Sequence, residues 1–406
     1  MLFILIAGVQ VFFSKSVAPP YESLGNVKLD SVIVSYINSA TSSIDMTLYS
    51  LFHLSGEEPV ATYIVNALKS AKDRGVRIRI IAENQKGQSS SSSFPFLQEL
   101  DDYGIPILFD GNSDIGYSCD YNYGKLMHNK FIVIDGHIVI TGSTNFSYEG
   151  TRSQANNLII IDNENLADIF TQEFEEMWGG AGDYPNTYQC RFQDYKSDNT
   201  PHIVRINDGV IDSIMVFFSP TDGLMYRVLD MIDYASSEID LNLNVFTRCE
   251  YSDAMWPKHY MVHAVVDNGT WSMEPVKSMR GVGSSCDVSS WSPPADIYRG
   301  EVYIHHKYAI FDRYAVLTGS MNWSRAGYDY NDENTIIVFS YRVADIYLHE
   351  FKDRMEEAGG SVSQGETTGK NLPFSERYDI LGRRSNGGKT GIWIGKGVKG
   401  IELEKH

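Results

Sequence analysis

Two stretches carry the residues best suited to chemistry. Positions 128–145 read HNKFIVIDGHIVITGSTN, and positions 305–322 read HHKYAIFDRYAVLTGSMN. In both, a histidine is followed two residues later by a lysine, then five residues on by an aspartate, then by Gly-Ser-x-Asn. Residues two apart on an extended strand share a face, so His128 and Lys130 point together, as do His305 and Lys307. An imidazole serves as nucleophile or as general acid near neutral pH, and an adjacent ammonium neutralises a phosphate oxygen without a metal. Asp135 and Asp312 fall at the strand end, where a carboxylate holds local geometry or partners an imidazole. Ser143, Asn145, Ser320 and Asn322 add hydroxyl and amide donors, and Asn157 and Asn334 recur at the same separation as candidate companions. Displacement at phosphorus in two steps needs a nucleophile on one side and an acid on the other. Two facing copies of this motif supply one histidine each.

The duplication extends beyond the motif. Val11-Phe12-Phe13-Ser14 matches Val216-Phe217-Phe218-Ser219, Ser43 to Leu48 matches Glu238 to Leu243, and Ile80 to Asn84 matches Ala264 to Asn268. The offset falls from 205 to 195 to 184 and then stays at 177 from His128 onward, through Asn157 and Asn334 to Glu173-Phe174 and Glu350-Phe351. The first copy therefore carries longer loops, including the run Ser89 to Ser93, which composition marks as a flexible polar segment. Such internal repetition makes the chain a tandem array.

H-x-K-x4-D followed by G-S-x-N, present twice, resembles the phospholipase D superfamily, and the likeness extends over residues 9–357. The resemblance implies a metal-independent phosphodiesterase that forms a phosphohistidine, with no cofactor and no metal ligands. His128 would be the nucleophile and His305 the acid. Lys130, Lys307, Asn145 and Asn322 would hold phosphate, and Asp135 and Asp312 would support the site. GSTNFS and TGSMNWS are closer to the nuclease-like members than to cardiolipin synthases. Nucleic acid, DNA or RNA, is the favoured substrate, with a phospholipid headgroup as the alternative and non-catalytic phosphate binding as a third reading.

The elements needed to position these residues are legible. Residues 59–73 place Val60, Ile64, Ala67, Leu68 and Ala71 on one helical face between Pro59 and Gly75. Val76 to Ile81 reads as a strand, residues 96–103 as a short helix, and Phe131 to Ile140 as a hairpin about Asp135-Gly136. Residues 165–178 and 343–356 close the two copies as helices. The expected fold is α/β, with two tandem repeats (1–205 and 206–358), each a mixed sheet flanked by helices, packed about a pseudo-two-fold axis in one monomer. Residues 359–406 form a Gly-rich tail, and Lys370 to His406 hold eight basic and four acidic residues.

The 406 residues have 43% hydrophobic and 21% charged content, a globular composition. A net charge of −18 repels polyanions at long range, so phosphate must be handled by a local site. Cys119, Cys190, Cys249 and Cys286 form no CxxC pair, which argues against zinc and allows two disulfides, one per half, or four thiols. The apolar start MLFILIAGVQVFF, with SKSVA after it, reads either as a signal peptide or as a strand, because VFFS recurs. With the Asn268-Gly269-Thr270 sequon it leans the chain toward an extracytoplasmic place. No stretch is long and apolar enough to span a membrane. Phe94-Pro95-Phe96, Trp256, Trp271 and Trp291 are candidate interface residues for a lipid substrate. Glu333, opposite Asn156 in the other copy, breaks the symmetry next to Asn334. His306 aligns with Asn129 and should face away from the site, His137 should lie at the surface, and Arg152, Arg325, Phe146 and Trp323 flank the Gly-Ser-x-Asn turns.

Overall fold

Each repeat folds around a mixed eight-stranded sheet. The computed structural model describes residues 8–119 and 125–361; the basic segment from Lys370 onward lies outside them. In the first sheet the strands are β1 (Val9–Phe13), β2 (Ser43–Leu48), β3 (Arg77–Ala82), β4 (Ile107–Phe109), β5 (Tyr117–Ser118), β6 (Phe131–Ile134), β7 (Ile138–Gly142) and β8 (Asn157–Asp162). Their spatial order is β1-β8-β7-β6-β2-β3-β4-β5. The second sheet holds β9 (Ile203–Arg205), β10 (Ser213–Ser219), β11 (Ile239–Leu243), β12 (Val262–Val266), β13 (Asp296–Arg299), β14 (Lys307–Phe311), β15 (Ala315–Gly319) and β16 (Glu333–Phe339), ordered β9-β10-β16-β15-β14-β11-β12-β13. Removing β5 from one sheet and β9 from the other leaves the same seven-stranded plan. The motif strands β6 and β14 are central, so both faces are covered and both strands are fully buried.

The helices lie where the apolar period places them. Val60–Asp73 follows Pro59, Phe94–Asp102 overlaps the helix expected over 96–103 and ends one residue before it, and Glu164–Trp178 and Tyr341–Glu357 close the copies. The last two are capped alike: the side chains of Asn163 and Ser340 accept from the amides of Leu166 and Val343, each satisfying a donor with no partner inside the helix. The serine run is less loose than its composition suggests. Ser93 is buried, and its hydroxyl accepts from the amide of Leu51. Of the two readings of the apolar start, Val9–Phe13 is a strand, hydrogen-bonded along β8. Both disulfides form, Cys119–Cys190 and Cys249–Cys286, one in each half.

Aromatic packing joins the halves twice. Phe131 and Phe170 pack edge-on at 5.0 Å, and Phe170 meets Phe218 of the other repeat at 5.2 Å. The symmetric trio is Tyr308, Tyr347 and Phe13, with separations of 5.0 and 5.2 Å. Each trio takes two rings from one repeat and one from the other. Apolar burial therefore runs continuously between the sheets, and both repeats belong to one compact unit.

The repeats differ in how they bury an ion pair. In the first, Arg79 grips Asp45 through two bonds of 2.7 Å. In the second, His263 takes the place of Arg79 and bonds Asp240 at 3.0 Å, while Arg313 engages Glu238 beside it. Burial alone would lower the His263 pKa, but the Asp240 bond and charge outweigh it and raise the value. A raised folded pKa contributes stability that is complete below the unfolded value of about 6.5 and is lost as pH rises through the folded value. Thermal stability should therefore fall as pH rises from about 6.5 through the raised folded value, and His263→Arg should flatten that slope. Melting curves across this range check it; equal slopes in both proteins would refute it.

Candidate active site

The two motif histidines meet at the junction of the repeats, and each is held by the opposite one. The His128 amide donates to the Asp332 carbonyl at 2.9 Å, and the Asp332 amide donates to the Leu126 carbonyl at 2.9 Å. The symmetric bonds run from the His305 amide to the Ala155 carbonyl, 2.9 Å, and from the Ala155 amide to the Tyr303 carbonyl, 2.8 Å. A carboxylate at the end of a neighbouring strand clamps the residue before each histidine. Glu83 accepts from the Met127 amide at 2.7 Å, and Asp267 from the Ile304 amide at 3.0 Å.

The rings cross over as the backbones do. His128 Nδ1 lies 2.7 Å from Glu333 Oε2, and His305 Nδ1 lies 2.8 Å from Asn156 Oδ1. Each partner is fixed by a motif serine: Ser320 donates to Glu333 and Ser143 to Asn156, both at 2.7 Å. With Nδ1 engaged, Nε2 of each ring is the nitrogen left for substrate. Glu333 is thus the direct partner of His128. Its asymmetry was visible in sequence, but the crossing that brings it to the other copy's histidine was not.

Lys130 and Lys307 turn back to the carbonyls of His128 and His305, at 2.8 and 2.7 Å. Burial lowers both ammonium pKa values, that of Lys130 to about 7 despite the charges of Glu333 and Glu83. Burial, then Lys130 and Lys307, hold His128 well below the usual imidazole value; burial, then Lys307 and Lys130, do the same for His305. Burial also pushes Glu333 up to about 8, so the carboxyl that meets His128 resists ionisation until a positive charge develops beside it. The result is a buried cleft of two imidazoles and two lysines whose charged forms burial disfavours and the nearby carboxyl groups only partly support. A phosphate diester brings the negative charge that would complete that support.

Several predicted site residues have other tasks. The side chains of Ser143 and Ser320 are used on Asn156 and Glu333. Asn157 Oδ1 accepts from Thr318 and Tyr347, and its amide reaches His306. Asn334 accepts from the Lys130 amide and donates to Thr141 at 2.6 Å. Both asparagines are fully buried and tie the repeats together instead of facing substrate. Asn145 and Asn322 are only part-buried, and among the described residues their side-chain amide nitrogens donate no hydrogen bond, so they remain candidate phosphate ligands. Gly142 and Gly319 precede these turns at φ +140° and +149°. A Cβ at either would stand 2.4 or 2.2 Å from the carbonyl oxygen of Asn157 or Asn334, so only glycine fits.

Asp135 and Asp312 lie at the far end of the motif strands. Seven residues of extended chain from His128 is roughly 23 Å. Asp135 adopts φ +53° in the hairpin turn and takes five bonds from Thr41, Ser42 and Ser43. Burial would raise its pKa, but the Ser43, Ser42 and Thr41 amides hold it well below the usual carboxylate range. Asp312 repeats this with Ser236, Ser237 and Glu238. Both are clasps between hairpin and neighbouring strand.

His306 is fully buried against Glu350 at 3.1 Å, and His137 pairs with Asp162 at the surface. Arg152 bonds Asp30 and Glu58, not the cleft. Arg325 is 71% exposed over the Tyr330 ring. Phe146 and Trp323 are core residues, as is Trp291. Sequence reasoning missed Tyr49, whose ring lies 4.7 Å from that of His128 and 5.0 Å from the Lys130 ammonium. Its signal was position, directly after a repeat-matched strand.

The sequence matches the family described as "Cardiolipin synthase, PLD-like domain" over residues 33–178 and 284–355, more than half of the chain. The chain belongs to the phospholipase D-like family. Among its relatives, a mitochondrial cardiolipin hydrolase of Xenopus tropicalis is 32% identical over 115 residues, 28% of this chain and 48% of that one. A phospholipase D of Rickettsia prowazekii (strain Madrid E) is 31% identical over 142 residues, 35% of this chain and 58% of that one. The chain thus spans about half the length of these curated relatives. The phosphatidylserine synthase of Haemophilus influenzae Rd KW20 shares the fold at a TM-score of 0.58 and 12% identity, over 85% of this chain and 86% of that one. In this phospholipase D-like frame the two repeats form one pseudo-two-fold site.

The clasp role of the aspartates is testable. Asp135→Ala and Asp312→Ala should each lower stability by about 1–2 kcal/mol, since several of the lost bonds are solvent-exposed. Activity per folded molecule should change less than twofold. Denaturant titration beside kcat/KM on any turned-over diester checks this; a hundredfold loss of kcat in a stable variant would return both carboxylates to the chemistry.

Proposed function

We propose that the chain is a phosphodiesterase that works through a phosphohistidine without a metal and takes nucleic acid as substrate. The observation that carries this reading is the unequal pairing of the two histidines, His128 with the carboxyl of Glu333 and His305 with the neutral amide of Asn156. His128 Nε2 attacks phosphorus, the bond to the leaving oxygen breaks, and that oxygen takes a proton from His305 Nε2. The phosphorylated ring is cationic with its Nδ1 proton retained, and Glu333 stabilises that charge where an amide would not. Water then loses a proton to His305 and attacks phosphorus, and the N–P bond breaks. Lys130, Lys307, Asn145 and Asn322 hold the non-bridging oxygens. Substrate anion in the cleft raises the proton affinity of His305, which its neutral partner leaves low. Both histidines come from one chain, so a monomer completes the site.

Nucleic acid is favoured by the exposed aromatics. Of twelve exposed large hydrophobic side chains among the described residues, nine are tyrosines and only Leu54, Met273 and Val282 are aliphatic. Tyrosine rings stack on bases. Tyr303, 53% exposed, lies 6.3 Å from the His305 ring, at the edge of the cleft. No described helix is long and apolar enough to cross a membrane. The second reading, a phospholipid headgroup, draws on the names of the cardiolipin hydrolase and phospholipase D relatives. Two disulfides fit an oxidising compartment outside the cytosol.

Single-stranded DNA, RNA and a phosphatidylcholine vesicle, each with EDTA, form the deciding panel. Cleavage of nucleic acid in EDTA, loss of turnover in His128→Ala, and a trapped phosphate on His128 are the expected results. Turnover of lipid alone would overturn the nucleic-acid reading.

The pH profile follows from the same groups. With both imidazoles held below about 6.5, the nucleophile stays neutral into acid, so the acid limb of kcat/KM lies below that value. Lys130 loses its charge as pH rises through about 7, which weakens phosphate binding. An optimum on the acid side of neutrality is expected, and one above about pH 8 would contradict the assignment.

A further inference from the structure

Beside His128 stands a third ammonium that the reaction above does not use. Lys86 Nζ lies 4.6 Å from the centre of the Tyr49 ring, the ring that Lys130 approaches at 5.0 Å and His128 at 4.7 Å. One tyrosine therefore holds both ammoniums against the nucleophilic histidine. Among the described residues, Lys86 Nζ makes no ion pair and donates no hydrogen bond. Its charge is felt by Glu83, His128 and Lys130, and Glu83 spends its Oε2 on the Met127 amide.

Its backbone, by contrast, is clamped. Lys86 lies in the single turn Asn84–Gly87 after β3, and its amide donates to the Glu83 carbonyl at 2.9 Å. Asp110 accepts from the Asn84 amide at 2.6 Å, and the Gly87 carbonyl accepts from Asp114 and Ser113. A Cβ at Gly87 would lie 2.1 Å from Ser113 Oγ, so the turn closes only with glycine there. A fixed base under a free cation is a preorganised anion contact. The equivalent position in the second repeat is Thr270, whose hydroxyl accepts from the Phe246 amide. The extra cation therefore stands on the His128 side alone.

We propose that Lys86 binds a second phosphate of a polynucleotide, the neighbour of the diester facing His128 and His305, and so selects chains over isolated diesters. The inference rests on the nucleic-acid reading and adds its specificity. In a polynucleotide every scissile phosphate has another along the backbone, and a cation on one side alone reads that neighbour in one strand direction. A lone diester offers Lys86 nothing.

The test compares wild type, Lys86→Ala and Lys86→Arg on bis(p-nitrophenyl) phosphate and on a short single-stranded oligodeoxynucleotide. The ratio of kcat/KM for the oligonucleotide to that for the small diester should fall about tenfold in Lys86→Ala, chiefly through KM, and be largely restored in Lys86→Arg. The slope of log KM against log salt for the oligonucleotide should drop by about 0.7, one phosphate contact on a single strand. An unchanged ratio, with wild type cleaving both substrates, overturns the inference and leaves the nucleic-acid reading standing. Wild type that cleaves only the small diester overturns both. So does a Lys86→Ala loss seen on vesicles of a dianionic phospholipid and not on the oligonucleotide.

Discussion

The site depends on an exchange of partners between the repeats. Each histidine takes its backbone acceptor and its ring partner from the opposite copy: His128 from Asp332 and Glu333, His305 from Ala155 and Asn156. Neither sheet alone can orient its own imidazole. The aromatic trios with Phe218 and Phe13 bury the same junction from behind. Asn157 and Asn334 cross it too, so the packing that joins the halves also aims the reactive nitrogens.

Within this shared frame the copies have diverged at corresponding places. Glu333 faces Asn156 across the pseudo-axis, and the buried Glu173 and Glu350 occupy matching positions. Glu173 pairs with Lys196 at 2.6 Å, whereas Glu350 accepts from Tyr308 and contacts His306 and Arg354. Phe131 and Phe170 have no hydroxyl to serve a carboxylate, so a lysine from the connecting segment does so. Tyr308 and Tyr347 carry hydroxyls, and these are spent on Glu350 and Asn157. Buried charge is compensated in each half by different means. Symmetric geometry thus carries unequal electrostatics, which a two-step displacement with two distinct histidine roles requires.

Much of this was legible in the sequence because the chain is written twice. The constant offset of 177 marked the motif pairs, and the alternation of strand and helix signals marked the frame. Periodicity located Val60–Asp73 because its apolar face is read locally. What sequence could not supply was direction. Asp135 could hold local geometry or partner an imidazole, and the extended strand that carries it to the other end of the sheet leaves only the first. Ser143, Asn157, Ser320 and Asn334 have the right chemistry for phosphate but point into the junction, where buried groups must satisfy one another. Tyr49 and Lys86 belong to no motif. They reach the cleft only because the loops after β2 and β3 end at the same edge of the sheet.

The crossing also sets an order on maturation. The bonds that complete the His128 environment join residues 205 apart in the chain, and those of His305 join residues about 150 apart. Such contacts form late, after loop closure has cost its entropy. A nascent chain that has emerged only through the first sheet holds a complete motif with no carboxyl on its nucleophile. Under the proposed mechanism, the site is completed only with the last strands, and a partly synthesised or misassembled chain lacks the carboxyl that its first histidine needs.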